Sequence, residues 1–411
     1  MADLLHRLAP GTVVDVVWEA EGVALDLPVE LLRLTAASGE DLGPLALRSG
    51  VTVRRRVAGT AGVEPRSLPG PLKILAAVAA PDETLTSNAP LDTEAEMQAM
   101  LDAVTGVAGD PRAEVQILEV ASISQIIAAL RADAYHVLHL SAHGSADSIE
   151  LEDEDGKPVP ASADELIHAL RRAGRPVPLI LLSACSGGPS GAEALGIGLI
   201  RRGADRVIAM QAPVTDTYAT ALAASLYRAL VDDPGQPVRQ ALARARWDAE
   251  ERLSATRRQA ETSQPEYGVP TLLSAHTDAP LVDTTAAPVP LSQVTVVPSG
   301  TSVRELALGA LIGRRRELRN TAAVLRRIPA ARDRWGAVAG VQLVGVGGIG
   351  KTAIAGRVLT RLRAEDWVVA VHEGRWDPTA LLSAVAGALT RIPALGDVVT
   401  RLRDRSVDDL Y

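Results

Sequence analysis

From Leu72 to Val214 the chain alternates apolar runs of strand length with helix-like stretches. The runs are LKILAAVAA (72–80), VQILEVA (115–121), YHVLHLSA (135–142), VPLILLSA (177–184) and DRVIAMQAPV (205–214). Between them lie DTEAEMQAMLDAVTG (92–106), ISQIIAALRA (123–132), DELIHALRRAG (164–174) and GAEALGIGLIRRG. A strand that is apolar at nearly every position is buried on both faces. That situation arises in a parallel sheet covered by helices on each side. The pattern therefore predicts an α/β sandwich with right-handed crossovers. Asp164 falls in the first turn of its helix and Gly174 is the stop. Two longer helices follow, TYATALAASLYRALVDD and VRQALARARWDAEERLSATRRQ.

The flanks read differently. Residues 10–57 are strand-rich: TVVDVVWEA alternates, LPVELLRL follows, and GPLALRSGVTVRRRV reads as strand, turn at Ser49-Gly50, strand. Residues 277–303 carry four prolines, several Thr and Ser and little charge, which predicts a linker. The expected divisions are a β-rich N-terminal portion (1–70), an α/β core (71–276), the linker (277–303) and a second domain (304–411). With 47% hydrophobic residues, 22% charged and a net charge of −8, the chain reads as a soluble globular protein. No basic excess points to nucleic acid. No apolar run approaches the roughly 18–20 residues that span a bilayer, and no signal peptide is read at the N-terminus. One cysteine forms no intramolecular disulfide, so the cytoplasm is the expected compartment. Phenylalanine is absent, and Ala, Leu and Val must fill the cores.

Two of the predicted strands end alike, HLSAHGSA at 139–146 and LLSACSGG at 181–188. Each is an apolar run, then Ser-Ala, then a residue capable of chemistry, His143 or Cys185. The two lie 42 residues apart with one helix between, the length of a βαβ unit with an insertion. Both are then expected at carboxyl ends of neighbouring parallel strands, where open α/β sheets form their ligand crevice. A free thiol with a pKa near ~8.5 is mostly protonated at neutral pH, and the thiolate is the nucleophile. An adjacent imidazole takes that proton or stabilises the anion, and later protonates a leaving group. Gly144, lacking a Cβ, lets a substrate carbonyl approach backbone N–H groups that would hold an oxyanion, with the N–H of Cys185 as a second donor. His139 reads as a sheet-face residue, and His136 and His168 as structural.

These segments resemble the CHAT domain family, caspase-like domains of the clan of separase, gingipains and metacaspases. LPVELLRL, GPLALRSGVTVRRRV, LKILAAVAAP, HVLHLSAHG, LILLSACSGG and GADRVIAMQAPVTDTYA follow in the family's order over roughly residues 20–276. The resemblance implies a caspase-type fold and a cysteine peptidase with a His–Cys dyad, carried onto His143 and Cys185, acting on a protein or peptide. It also implies an acidic residue that sets preference for a basic side chain. Asp216 is the candidate, with Asp147 behind it, and helix capping competes for Asp216. A catalytically idle docking or signalling platform is the alternative reading.

GVGGIGKT (345–352) matches the phosphate-loop pattern G-x-x-x-x-G-K-[ST]. It follows the apolar run VQLV, an expected strand, and opens the expected helix TAIAGRVLTRL. Gly345, Gly347, Gly348 and Gly350 let backbone N–H groups face phosphates, Lys351 reaches the terminal phosphates, and Thr352 holds Mg²⁺. DWVVAVHEG (366–374) is expected as the next strand. With LIGRRREL (311–318) upstream, the segment resembles the start of a STAND or NB-ARC NTPase, a partial P-loop α/β domain. That implies ATP or ADP as ligand, Arg314 near the base or ribose, and signal-dependent homo-oligomerisation. No apolar strand ending in Asp follows, so this chain alone is not expected to turn over ATP.

Overall fold

The computed structural model describes residues 12–58, 60, 65–88, 91–105, 113–145, 147–184, 192–257, 265–275 and 277–292. It also describes residues 303, 306, 311, 313–327, 340–375, 377–390, 392–397 and 399–400. The chain forms two compact units, residues 1–292 and 293–411.

The first unit opens with β1 (Val14–Ala20), the short hairpin strands β2 (Arg33–Thr35) and β3 (Asp41–Pro44), and β4 (Val51–Val57). After β5 (Leu68–Pro69) come β6 (Leu72–Val78), α1 (Thr93–Val104), β7 (Ala113–Ile117), α2 (Ile123–Ala132) and β8 (Val137–Gly144). A hairpin of β9 (Ser148–Glu152) and β10 (Pro158–Ser162) leads into α3 (Ala163–Ala173), β11 (Leu179–Ala184), α4 (Ala192–Arg201) and β12 (Arg206–Met210). The unit closes with α5 (Asp216–Asp232), α6 (Val238–Arg257), β13 (Pro270–Ser274) and β14 (Val282–Asp283).

The main sheet runs β1-β4-β13-β12-β11-β8-β6-β7. The five strands from β7 to β12 are parallel. β13 reverses against β12, and β4 and β1 share its direction. The α/β sandwich expected from the apolar runs is thus present, mostly parallel. All seven residues of β6 are buried, as the lack of alternation in LKILAAVAA requires. Odd-numbered positions of β8 and β11 (Val137, Leu179, Leu181) share a core cluster with α1, α5 and α6. α2, α3 and α4 pack against one another in sequence, and α4 lies on β12 and β13. Local signals agree with this packing. Ser162 and Glu165 form a reciprocal capping box at the start of α3, and Gly174 ends it at φ 74°.

In the β-rich N-terminal portion β1 and β4 extend the main sheet. Two expectations are corrected. Within that portion GPLALRS is not one strand: β3 ends at Pro44 and a 3₁₀ turn covers Leu45–Leu47. The predicted linker begins too early. Residues 277–292 belong to the first unit, since buried Asp278 accepts from Arg206 (3.2 Å) and from the Arg239 amide (2.7 Å). Leu281 and Val282 join the core, and Leu291 and Ser292 donate to Glu114 and Asp133. A stretch with buried ionic and apolar partners is part of a fold, whatever its proline content.

The second unit contains α7 (Arg315–Arg327), α8 (Lys351–Ala364) and α9 (Pro378–Leu389). Leu318, Ile354, Val358 and Leu362 form its core, with Leu343, Trp367 and Val369 packed around them. Neither VQLV nor DWVVAVHEG is a strand, and no strand occurs among the described residues of this unit. Val344 is 80% exposed and Val346 72%. An apolar run becomes a strand only when a neighbour takes up its backbone hydrogen bonds, and none is described here.

Candidate functional site

The site is built on β8 and β11. Their register is unbroken from Leu179↔Val137 to Ala184↔Ala142, an offset of 42 residues at every pair. The next residue along β8 is His143, and the next after Ala184 in sequence is Cys185, again 42 apart. Cys185 lies outside the described residues, as do Gly187 and Gly188. His143 is half-buried. β8 does not stop at it: the strand continues through Gly144 because β9 folds back on it, pairing His143 with Glu150 and Gly144 with Ile149. The Glu150 carboxylate accepts from the Thr86 hydroxyl (2.8 Å) and from the Asn88 amide (3.1 Å).

Beneath these ends the two strands carry matched serines. Ser141 and Ser183 are register partners; Ser141 lies two residues before His143 and so on the same sheet face, and Ser183 lies two residues before Cys185 in sequence. Both are buried beside one carboxylate, that of Glu96 on α1, which accepts from the Ser141 hydroxyl at 2.5 Å and whose charge the Ser183 hydroxyl also favours. Nε2 of buried His139 stands 3.2 Å from the other Glu96 oxygen. Its Nδ1 is 2.8 Å from the Tyr227 hydroxyl on α5. Burial drives the Glu96 carboxyl up, but the His139 imidazole and the two serine hydroxyls outweigh it. The group is held below the ordinary carboxylate range. Burial, with the Glu96 charge behind it, pushes the Tyr227 phenol well up, so it stays a neutral hydroxyl.

A small recess opens at the same strand ends, lined by Asp92, Glu96, Ser141, Ser183, Asp216 and Thr220. Asp92 is the N-cap of α1, accepting from the Ala95 amide at 3.1 Å. Asp216 is not a cap. Thr215 caps α5 through the Tyr218 amide, and Asp216 is the exposed first residue of the helix, facing the recess. Asp147, the other acidic candidate, is exposed in the turn between β8 and β9 and does not line the recess. His136 is structural: buried, it accepts the Lys73 amide on Nδ1 at 2.9 Å, and burial lowers its pKa to about 4.

A CHAT domain family profile matches residues 1–267, a span holding both strand ends. The chain belongs to the CHAT domain family. The CHAT match makes residues 1–267 a caspase-like, cysteine-peptidase-type domain. No curated protein matches the chain. Among solved structures, the Arg-specific cysteine proteinase gingipain R is similar at 10% identity and a TM-score of 0.43. That likeness covers 68% of this chain and 66% of the other, so the CHAT chain spans just under two thirds of its length. A complex of the pro- and mature domains of RgpB from Porphyromonas gingivalis is similar at 10% identity and a TM-score of 0.40, over 68% of each chain. No described helix is long and apolar enough to cross a membrane.

Sequence reasoning missed Glu96 and gave His139 no chemistry. The repeated Ser-Ala before His143 and Cys185 was the available signal, since matched polar residues on neighbouring buried strands need a shared partner. Glu96 itself sits among the buried methionines of α1 with no motif around it.

At the glycine loop of the second unit, Gly348 and Gly350 have φ of 79° and 96°, and Gly350 precedes α8. A Cβ added at Gly347, Gly348 or Gly350 would meet open space. Nζ of Lys351 donates to the carbonyls of Gly345 and Val346, both at 2.9 Å. The Thr352 side chain is exposed. Arg314, at φ 58°, pairs with Glu317 at 3.1 Å. The loop is thus an open, glycine-lined turn with a cation folded over it, and the strands expected on either side are absent.

Proposed function

We propose that the chain is a caspase-like cysteine endopeptidase acting on protein or peptide substrates. The observation that carries this reading is the shared offset of 42 residues between the β8–β11 register and the His143–Cys185 spacing. The thiolate of Cys185 attacks a peptide carbonyl, and the N–H groups of Gly144 and Cys185 hold the oxyanion. His143 takes the thiol proton and delivers it to the departing amine; water then releases the acyl group. Asp216, with Asp92 beside it at the recess, favours a basic side chain before the cut.

The glycine loop is proposed to bind ATP or ADP with Mg²⁺. The glycine backbone and Lys351 would hold phosphates and Thr352 the cation, making the second unit a nucleotide switch that drives oligomerisation. A bacterial cytoplasmic role in signalling, defence or regulated cell death accords with this pairing.

The test is a thiol-reactive peptide warhead carrying a basic side chain. Labelling of Cys185 that disappears in His143→Ala supports the peptidase. Equal, slow labelling of both proteins would leave a docking platform instead. Nucleotide binding is checked separately by ATP titration of the full chain, with loss in Lys351→Ala expected.

A further inference from the structure

The Glu96 carboxylate is buried where a helix crosses the two strands that the peptidase reading requires, and nothing in the dyad chemistry uses it. It accepts from Ser141 on β8 and lines the same recess as Ser183 on β11, whose hydroxyl favours its charge. The two serines are opposite each other in the ladder, so one carboxylate spans two strands from α1. A buried carboxylate without polar partners is costly, and the groups gathered around this one offset that cost. His139 Nε2 stands 3.2 Å from Oε1, an ion-pair contact in which neither atom makes a hydrogen bond. Tyr227 holds the far side of the imidazole from α5. The charged groups nearest the recess above are Asp92 and Asp216.

We propose that Glu96 is a positioning residue, a clamp that fixes the carboxyl ends of β8 and β11 so that the imidazole of His143 meets the sulfur of Cys185. The proposal rests on the peptidase reading for its dyad, but the clamp is a property of the strand ends. Side chains two residues beyond a pinned backbone position inherit its placement, and a displacement of about 1 Å at reacting groups costs on the order of a hundred-fold in rate. The effect of Glu96 runs through Ser141 and Ser183.

The experiment is alkylation by iodoacetamide across pH 5 to 10, followed on the full chain by mass. Cys185 is its only thiol, so the adduct is unambiguous. In the parent protein the imidazole holds the thiolate, and the reaction midpoint lies below the ~8.5 of a free thiol. His143→Ala moves the midpoint up to that value. Glu96→Ala, which releases both serines, is expected to move it the same way and to slow alkylation at pH 7 by about ten-fold or more. Glu96→Gln keeps an oxygen that accepts from the serines, and is expected to recover the rate to within about three-fold. A role in stability alone lowers the melting temperature of Glu96→Ala but leaves the midpoint unmoved, and that result overturns the clamp. If Glu96→Ala does not fold, Ser141→Ala with Ser183→Ala replaces it, and an unmoved midpoint there overturns the clamp equally. A midpoint that shifts in Glu96→Ala but not in His143→Ala removes the dyad and leaves the clamp standing. The reverse result removes the clamp and leaves the dyad.

Discussion

The two units began from similar sequence signals and ended differently. LLSACSGG and VQLVGVGG are both apolar runs leading into glycine. In the first unit the run is β11, hydrogen-bonded on both sides by β8 and β12. In the second the run has no strand partner, and its valines are exposed. The local code for extension is the same in both. What separates them is whether the chain brings a neighbour to the ladder, and that is decided by tertiary structure. Two ion pairs show the same contrast. Arg55 and Glu30 of the first unit are fully buried at 2.7 Å. Arg326 and Glu365 of the second are partly exposed.

The strongest way to break the contrast is at its buried pair. Arg55→Ala strands Glu30 without its ion-pair partner, leaving Thr271 and the charge of buried Arg246, and is expected to cost about 3–5 kcal/mol by denaturant unfolding of the first unit. Arg326→Ala in the second unit is expected to cost less than about 1 kcal/mol. Comparable losses would show that burial does not distinguish the two regions. Next in size is Ile74→Ala in β6, expected to cost about 2–5 kcal/mol, against about 0.5 kcal/mol or less for Val344→Ala. Hydrogen exchange sharpens the same point, with β6 amides protected and those of 341–346 exchanging freely.

Acid discriminates more gently. His136 is held at about 4, below its ordinary value near 6.5, chiefly by burial. The unfolded chain therefore takes up a proton that the folded unit refuses. Stability present above about pH 6.5 is lost as the pH falls toward 4, by up to about 3 kcal/mol. Unfolding midpoints of the first unit between pH 7 and 4.5 measure this. His136→Asn is expected to flatten the dependence.

The parallel core was readable because continuous burial leaves no alternation to confuse with a surface strand, as LKILAAVAA and VPLILLSA show. β13 was not readable. PTLLS is five residues, opens with proline and becomes a strand only because β12 and β4 flank it. Residues 277–292 looked like linker because their contacts are made one at a time, by Asp278, Leu281 and Ser292, with no periodicity. At the site, His143 announced itself through a repeated strand ending, whereas Glu96 reaches the same place from a helix whose sequence says only that one face is apolar. Asp216 was visible, but only the Thr215 cap shows that it is not needed to start α5.

The account depends on two strand ends lying side by side, and a crosslink measures that directly. His143→Cys gives the chain two thiols, at 143 and 185. Neighbouring parallel strands are spaced about 4.8 Å apart, within the roughly 4.4–6.8 Å over which a disulfide closes. Under mild oxidation the account predicts loss of both free thiols in a monomer, with His168→Cys as the control that keeps them. Two thiols that stay free in His143→Cys under the same conditions would contradict it.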